Sequence, residues 1–91
     1  MKYALFVIER PEKPDHDKRQ EWSCLLQEIC SASSKIEGIE NLRENFWQIP
    51  LQDGLSFLAD CIRATDKLHY RWQVLILDEK PSWIHSKTAQ Q

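Results

Sequence analysis

No stretch of this 91-residue chain approaches the roughly 18 consecutive apolar residues of a membrane span. The apolar start Tyr3-Ala4-Leu5-Phe6-Val7-Ile8 is also too short for the core of a secretion signal and runs directly into Glu9-Arg10, so a cytoplasmic location is expected. Cysteine is scarce and odd in number: Cys24, Cys30 and Cys61 contain no C-x-x-C spacing, which signals neither a disulfide framework nor a zinc knuckle. They read as small structural thiols in a reducing compartment. Charge of one sign is missing too. Twelve Lys and Arg stand against 14 Asp and Glu, a net charge of -2, which argues against a dedicated nucleic-acid binder with its basic footprint. His16, His69 and His85 have no H-x-x-x-H or H-E-x-x-H spacing, and there is no G-x-S-x-G elbow, so neither a metal site, a cofactor nor a nucleophile is signalled. A chain of this length buries only about 60–65% of its unfolded surface, which excludes two domains or a repeat array.

What the chain has in excess is tryptophan, at Trp22, Trp47, Trp72 and Trp83, beside only 2 glycines. Its patterning is more informative than its totals. Residues 3–8 are apolar without interruption, so a central strand with both faces covered is expected there. Pro11 and Pro14 end it, and Asp15 or Asp17 can cap the next element. Trp22, Leu25, Leu26, Ile29 and Cys30 then form one stripe, predicting an amphipathic helix over about 16–32 that stops at Ser31-Ala32-Ser33-Ser34. Gly38 supplies a permissive turn. Residues 39–42 and 45–49 can pair as a hairpin through Arg43-Glu44-Asn45. Pro50 stops the ladder, Asp53 is the expected N-cap, and Leu55, Leu58, Ala59 and Ile62 mark a second helix ending near Ala64-Thr65-Asp66. The stretch His69 to Asp78 is predicted as the last strand, with Trp72, Val74 and Ile76 on an apolar face and Gln73, Leu75 and Leu77 on one that becomes apolar toward its end.

The order β-α-β-β-α-β resembles the split βαβ, or ferredoxin-like, arrangement: an α+β fold whose antiparallel sheet carries two helices on one face. A single domain over residues 1–80 is expected, followed by a C-terminal extension over 81–91 that becomes a polar tail from 85. Should residues 39–42 not pair, the same pattern leaves a three-stranded sheet.

This architecture hosts many activities, so function has to come from side chains. The first loop, Arg10 to Asp15, lacks the cysteine pair of a metallochaperone. Arg10 would suit an acylphosphatase cradle, but Pro11 removes a backbone donor that the cradle requires. Tyr3 and Phe6 do not share a strand face, as base-stacking aromatics of an RNA-recognition motif must. In length and fold the chain is similar to the small CRISPR-associated endonucleases and a related antitoxin endoribonuclease. That resemblance implies a dimer with paired carboxylates holding a divalent metal at the end of the first strand. Glu9 occupies that end, where the family's pattern has aspartate. A likeness to small dimeric ferredoxin-like monooxygenases would instead place Trp47, Trp72 and His69 around an aromatic pocket.

Lys67-Leu68-His69-Tyr70-Arg71-Trp72 mixes cations and aromatics, but strand alternation would solvate Lys67, His69 and Arg71 and turn Leu68, Tyr70 and Trp72 to the core. Pro81-Ser82-Trp83-Ile84 has no place in the fold, so it either folds back over the sheet or docks on another chain. With no complete catalytic set, the chain is expected to be a protein-binding or regulatory module acting through self-association as a homodimer. Trp72, Trp83, Ile84, Tyr70 and Arg71 are its candidate binding residues, and Glu9 is the candidate catalytic one. The alternative is a dimeric enzyme, either a metal-dependent nuclease or an aromatic-pocket catalyst.

Overall fold

Alternation along the first apolar run sets the geometry of the whole molecule. A computed structural model describes residues 1–84, and the predicted polar tail from His85 onward lies outside the described residues. Strand β1 spans Tyr3–Ile8, and its side chains alternate strictly, with Ala4, Phe6 and Ile8 fully buried and Tyr3, Leu5 and Val7 only partly so. Helix α1 (His16–Ser33) follows, then β2 (Glu40–Arg43), β3 (Phe46–Pro50), helix α2 (Leu51–Lys67) and β4 (Trp72–Leu77). The sheet order is β2-β3-β1-β4 and every neighbouring pair is antiparallel. This is the expected α+β arrangement, a ferredoxin-like sheet with both helices on one face.

The core lies between that face and the helices. Ala4, Phe6 and Ile8 of β1 and Trp47 and Ile49 of β3 meet Trp22, Leu25, Leu26 and Ile29 of α1 and Phe57, Leu58 and Cys61 of α2. Each large apolar side chain removed from water there contributes roughly 1.5–3 kcal/mol. Asp15 is the N-cap of α1, its carboxylate accepting from the Lys18 backbone N–H at 2.8 Å. At the other end Ser33 and Ser34 donate their hydroxyls to Cys30 and Ser31 carbonyls, both at 2.8 Å, competing with the helical ladder as the serine run suggested.

Helix α2 starts earlier than Asp53 predicts. Leu51 follows β3 with no loop, and its backbone N–H donates to the Lys2 carbonyl at 2.9 Å, so the sheet itself satisfies one of the orphan donors of the first turn. Asp53 is not the cap but an acid within that turn, where it still complements the helix dipole. The last strand starts later than predicted. Helix α2 runs on to Lys67, and the N–H groups of Leu68, His69 and Tyr70 bond back to Thr65 and Asp66 carbonyls. His69 takes φ 64°, which no strand residue adopts, so the expected alternation of Lys67, His69 and Arg71 against Leu68, Tyr70 and Trp72 does not exist.

Gly54 sits in the first turn of α2 directly over β3. A Cβ there would lie 2.5 Å from Ile49 Cγ2, so the helix can approach the sheet this closely only with glycine. Alanine would favour the helical backbone by about 1 kcal/mol, but the clash outweighs that gain. Gly54→Ala is expected to lower stability by about 1–3 kcal/mol in urea unfolding, whereas an exposed helical glycine would show the opposite sign.

Candidate binding face

Both helices lie on one side of the sheet, and the other side is lined by Tyr3, Leu5 and Val7 of β1, Phe46 and Gln48 of β3, and Gln73, Leu75 and Leu77 of β4. The expectation that both faces of β1 are covered is thus corrected: two helices cannot reach around the sheet, and the second face is only half-buried. Between β1, β3 and β4 it forms a shallow groove of about 570 Å³ bounded by Leu5, Val7, Phe46, Gln73, Val74 and Leu75. Leu75 is 57% exposed on this face, and the adjacent Ile76 is 49% exposed on the helix side of the same edge strand.

The C-terminal segment crosses part of this face. Trp83 packs edge-on against Phe46, ring centroids 6.2 Å apart, and its Nε1–H donates to Gln48 Oε1 at 2.8 Å. Gln48 is fully buried, and its Nε2 donates to Glu40 Oε2 at 3.3 Å. An amide taken out of water needs partners, and the Trp83 indole and the Glu40 carboxylate provide them. The fold-back therefore lands on the β3 side of the sheet face. Ile84, the next residue, is 97% exposed and borders a second cleft of about 470 Å³ with Glu40, Asn41, Leu42, Arg43 and Phe46.

Three other candidates gather in a separate cleft. Glu9, Tyr70 and Arg71 border a polar cleft of about 360 Å³ with Arg10, Lys18 and His69. Tyr70 is buried against Trp22, centroids 5.3 Å apart, and its hydroxyl donates to Glu21 Oε1 at 2.9 Å. Lys18 donates to the same oxygen at 2.9 Å and lies 4.4 Å from the Tyr70 ring centre. The Lys18 and Tyr70 hydrogen bonds hold the Glu21 carboxyl below the ordinary range, and the Glu21 bond holds the Lys18 ammonium above its own. Burial, then the Glu21 bond, raises the Tyr70 phenol. Glu9 and Arg71 are exposed, joined only through the Glu9 backbone N–H donating to the Arg71 carbonyl at 2.8 Å. Arg10 pairs with Glu44. Among the described residues no three His, Cys, Asp or Glu side chains come together as a metal site would require. Burial pushes the Cys61 thiol up to about 12, away from the reactive thiolate form.

Trp72 is not on the open face. It pairs with Ile8 on the helix side, tilts against Phe6 at 6.4 Å, and donates its Nε1–H to Asp66 Oδ1 at 2.7 Å. Phe6 lies at 6.0 Å from Trp47 as well, so a phenyl ring fills the space where an aromatic pocket between Trp47 and Trp72 was expected, and His69 stands in the turn outside. The open face is built instead by residues outside the predicted set, among them Phe46, Gln48 and Leu75. The signal for Leu75 lay in the alternation of β4, whose second face turns apolar; that for Gln48 was a lone amide inside Phe-Trp-Gln-Ile-Pro. Comparison with protein-family models, with curated proteins and with solved structures found no match.

Two tests follow from these contacts. Trp83→Ala removes a half-buried indole and re-exposes Gln48, so a loss of about 1–2 kcal/mol is expected in chemical denaturation, with helix content unchanged by circular dichroism. Because the Glu21 pKa is lowered in the fold, its contribution is present above the ordinary carboxylate range and is lost as pH falls through the lowered value. Melting temperature should drop between about pH 5 and pH 3, and Glu21→Gln should flatten that limb. An unchanged acid limb in Glu21→Gln would show that the Glu21 bonds to Lys18 and Tyr70 do not supply this pH dependence.

Proposed function

We propose that this chain is a small cytoplasmic protein-binding or regulatory module that works by self-association, as a homodimer. One observation carries the proposal. Leu75 and Ile76, adjacent residues on opposite faces of the edge strand β4, are both about half exposed, and the apolar groove of Leu5, Val7 and Phe46 continues from Leu75. A monomer gains nothing from presenting a leucine and an isoleucine on both sides of one free strand. A partner that covers the strand gains both, together with the groove beside them. Three free cysteines, one buried, suit the reducing interior of a cell. The exposed polar cleft at Glu9 does not gather a reactive set, so binding is favoured over catalysis.

Light scattering at micromolar concentration should give twice the monomer mass for the wild type. Leu75→Lys places a charge where the proposed interface is apolar and should return the monomer mass with unchanged circular dichroism. A wild type that runs as a monomer up to about 100 μM, an affinity weaker than roughly 5.5 kcal/mol, would remove self-association as the function.

A further inference from the structure

The two edges of the sheet are built differently. The β2 edge, Glu40–Arg43, carries a charge at each end and breaks register between Asn41 and Arg43, devices that deter pairing with another strand. The β4 edge reads Trp-Gln-Val-Leu-Ile-Leu over Trp72–Leu77, with no charge, no proline and no bulge. Such an edge is a template for another strand.

Its free groups can be assigned. The Glu9 N–H donates to the Arg71 carbonyl, which makes Glu9 and Arg71 a hydrogen-bonded pair of the β1–β4 ladder. Antiparallel ladders alternate such pairs with non-bonded ones. Gln73 opposite Val7, Leu75 opposite Leu5 and Leu77 opposite Tyr3 therefore spend their backbone groups on β1. Trp72, Val74 and Ile76 point theirs outward, away from the sheet.

We infer that β4 is the self-association edge: two copies pair antiparallel through it about a two-fold axis at Val74, joining their sheets into one of eight strands. The inference rests on the self-association proposed above and specifies its geometry. With Val74 opposite its own copy, Trp72 falls opposite Ile76 of the partner strand, and every outward N–H and C=O of these residues finds a partner. A second copy also fits the charges. Arg71 precedes the strand and Asp78 follows it, so antiparallel pairing brings each cation toward the partner's acidic end, whereas parallel pairing would set like beside like. On the open face Leu75 comes beside the partner's Gln73, and the two grooves become continuous. The Trp83 contact lies on β3, away from this edge, and does not obstruct it.

Proline at position 76 separates this geometry from a side-chain contact. Among the described residues the Ile76 N–H has no acceptor within one copy, so Ile76→Pro removes the bond to the partner and shortens the side chain, while Ile76→Val shortens the side chain to a similar size and keeps the N–H. The expected result in sedimentation velocity is a dimer dissociation constant raised about tenfold or more by Ile76→Pro relative to Ile76→Val. Wild-type amide exchange at Trp72, Val74 and Ile76 should also slow as protein concentration rises, a readout that needs no variant. Equal weakening by proline and valine, or no weakening by either in a dimeric protein, would overturn the β4 pairing and leave self-association standing. Concentration-independent exchange at all three amides in a dimeric wild type would do the same. A monomeric wild type would remove both.

Discussion

Two helices can cover only one face of a four-stranded sheet, and β1 is apolar on both. Everything else in the molecule answers to that mismatch. On the covered side, Ala4, Phe6 and Ile8 are fully buried and the tryptophans of α1 and β3 close over them. On the other side, Tyr3, Leu5 and Val7 face away from both helices and are only partly buried among the described residues. The chain covers part of that face by folding Trp83 back onto Phe46 and Gln48, and leaves the remainder open beside β4. Apolar area left in water there is a free-energy reserve that a complementary surface can draw on.

Much of the fold was legible because local and tertiary signals agree. The uninterrupted run 3–8 forms a strand and the stripe from Trp22 to Cys30 a helix, as expected, and of the two candidate caps, Asp15 and Asp17, Asp15 is the one that caps. The misplaced boundaries arose where tertiary hydrogen bonds overrode residue preference. Asp53 looked like a cap, but the Lys2 carbonyl had already satisfied Leu51; His69 looked like a strand residue, but the end of α2 claimed its N–H. Gly54 was silent in the sequence, since a helical glycine gives no sign of what lies across from it.

The candidate site was less legible, for a related reason. Tryptophan drew attention to Trp72, yet strand parity is fixed by pairing, and a start at residue 72 beside Ile8 turns that ring to the core. Its neighbours Gln73 and Leu75 inherit the open face. Tyr70 and Arg71 look alike in sequence as members of one aromatic and cationic cluster, but they part in the turn after α2. The phenol packs on Trp22 and bonds Glu21, and the guanidinium stays in water.

The four indoles illustrate how a short chain economises. Trp22 packs on Tyr70 and secures α1 against the turn before β4. Trp72 bonds Asp66 and so ties β4 to the end of α2, while Trp83 bonds Gln48 and ties the C-terminal segment to β3. Trp47 differs: it is fully buried, and its Nε1–H meets no acceptor among the described residues, a deficit of roughly 1–3 kcal/mol. That deficit is tolerable only because the ring fills the centre of the core beside Phe6, where a smaller side chain would leave a cavity costing about 3–5 kcal/mol. Volume therefore outweighs hydrogen bonding at position 47. At 72 and 83, nearer the surface, the indole's polar edge is what fixes the segment, so the same residue type serves packing at the centre and attachment at the margins.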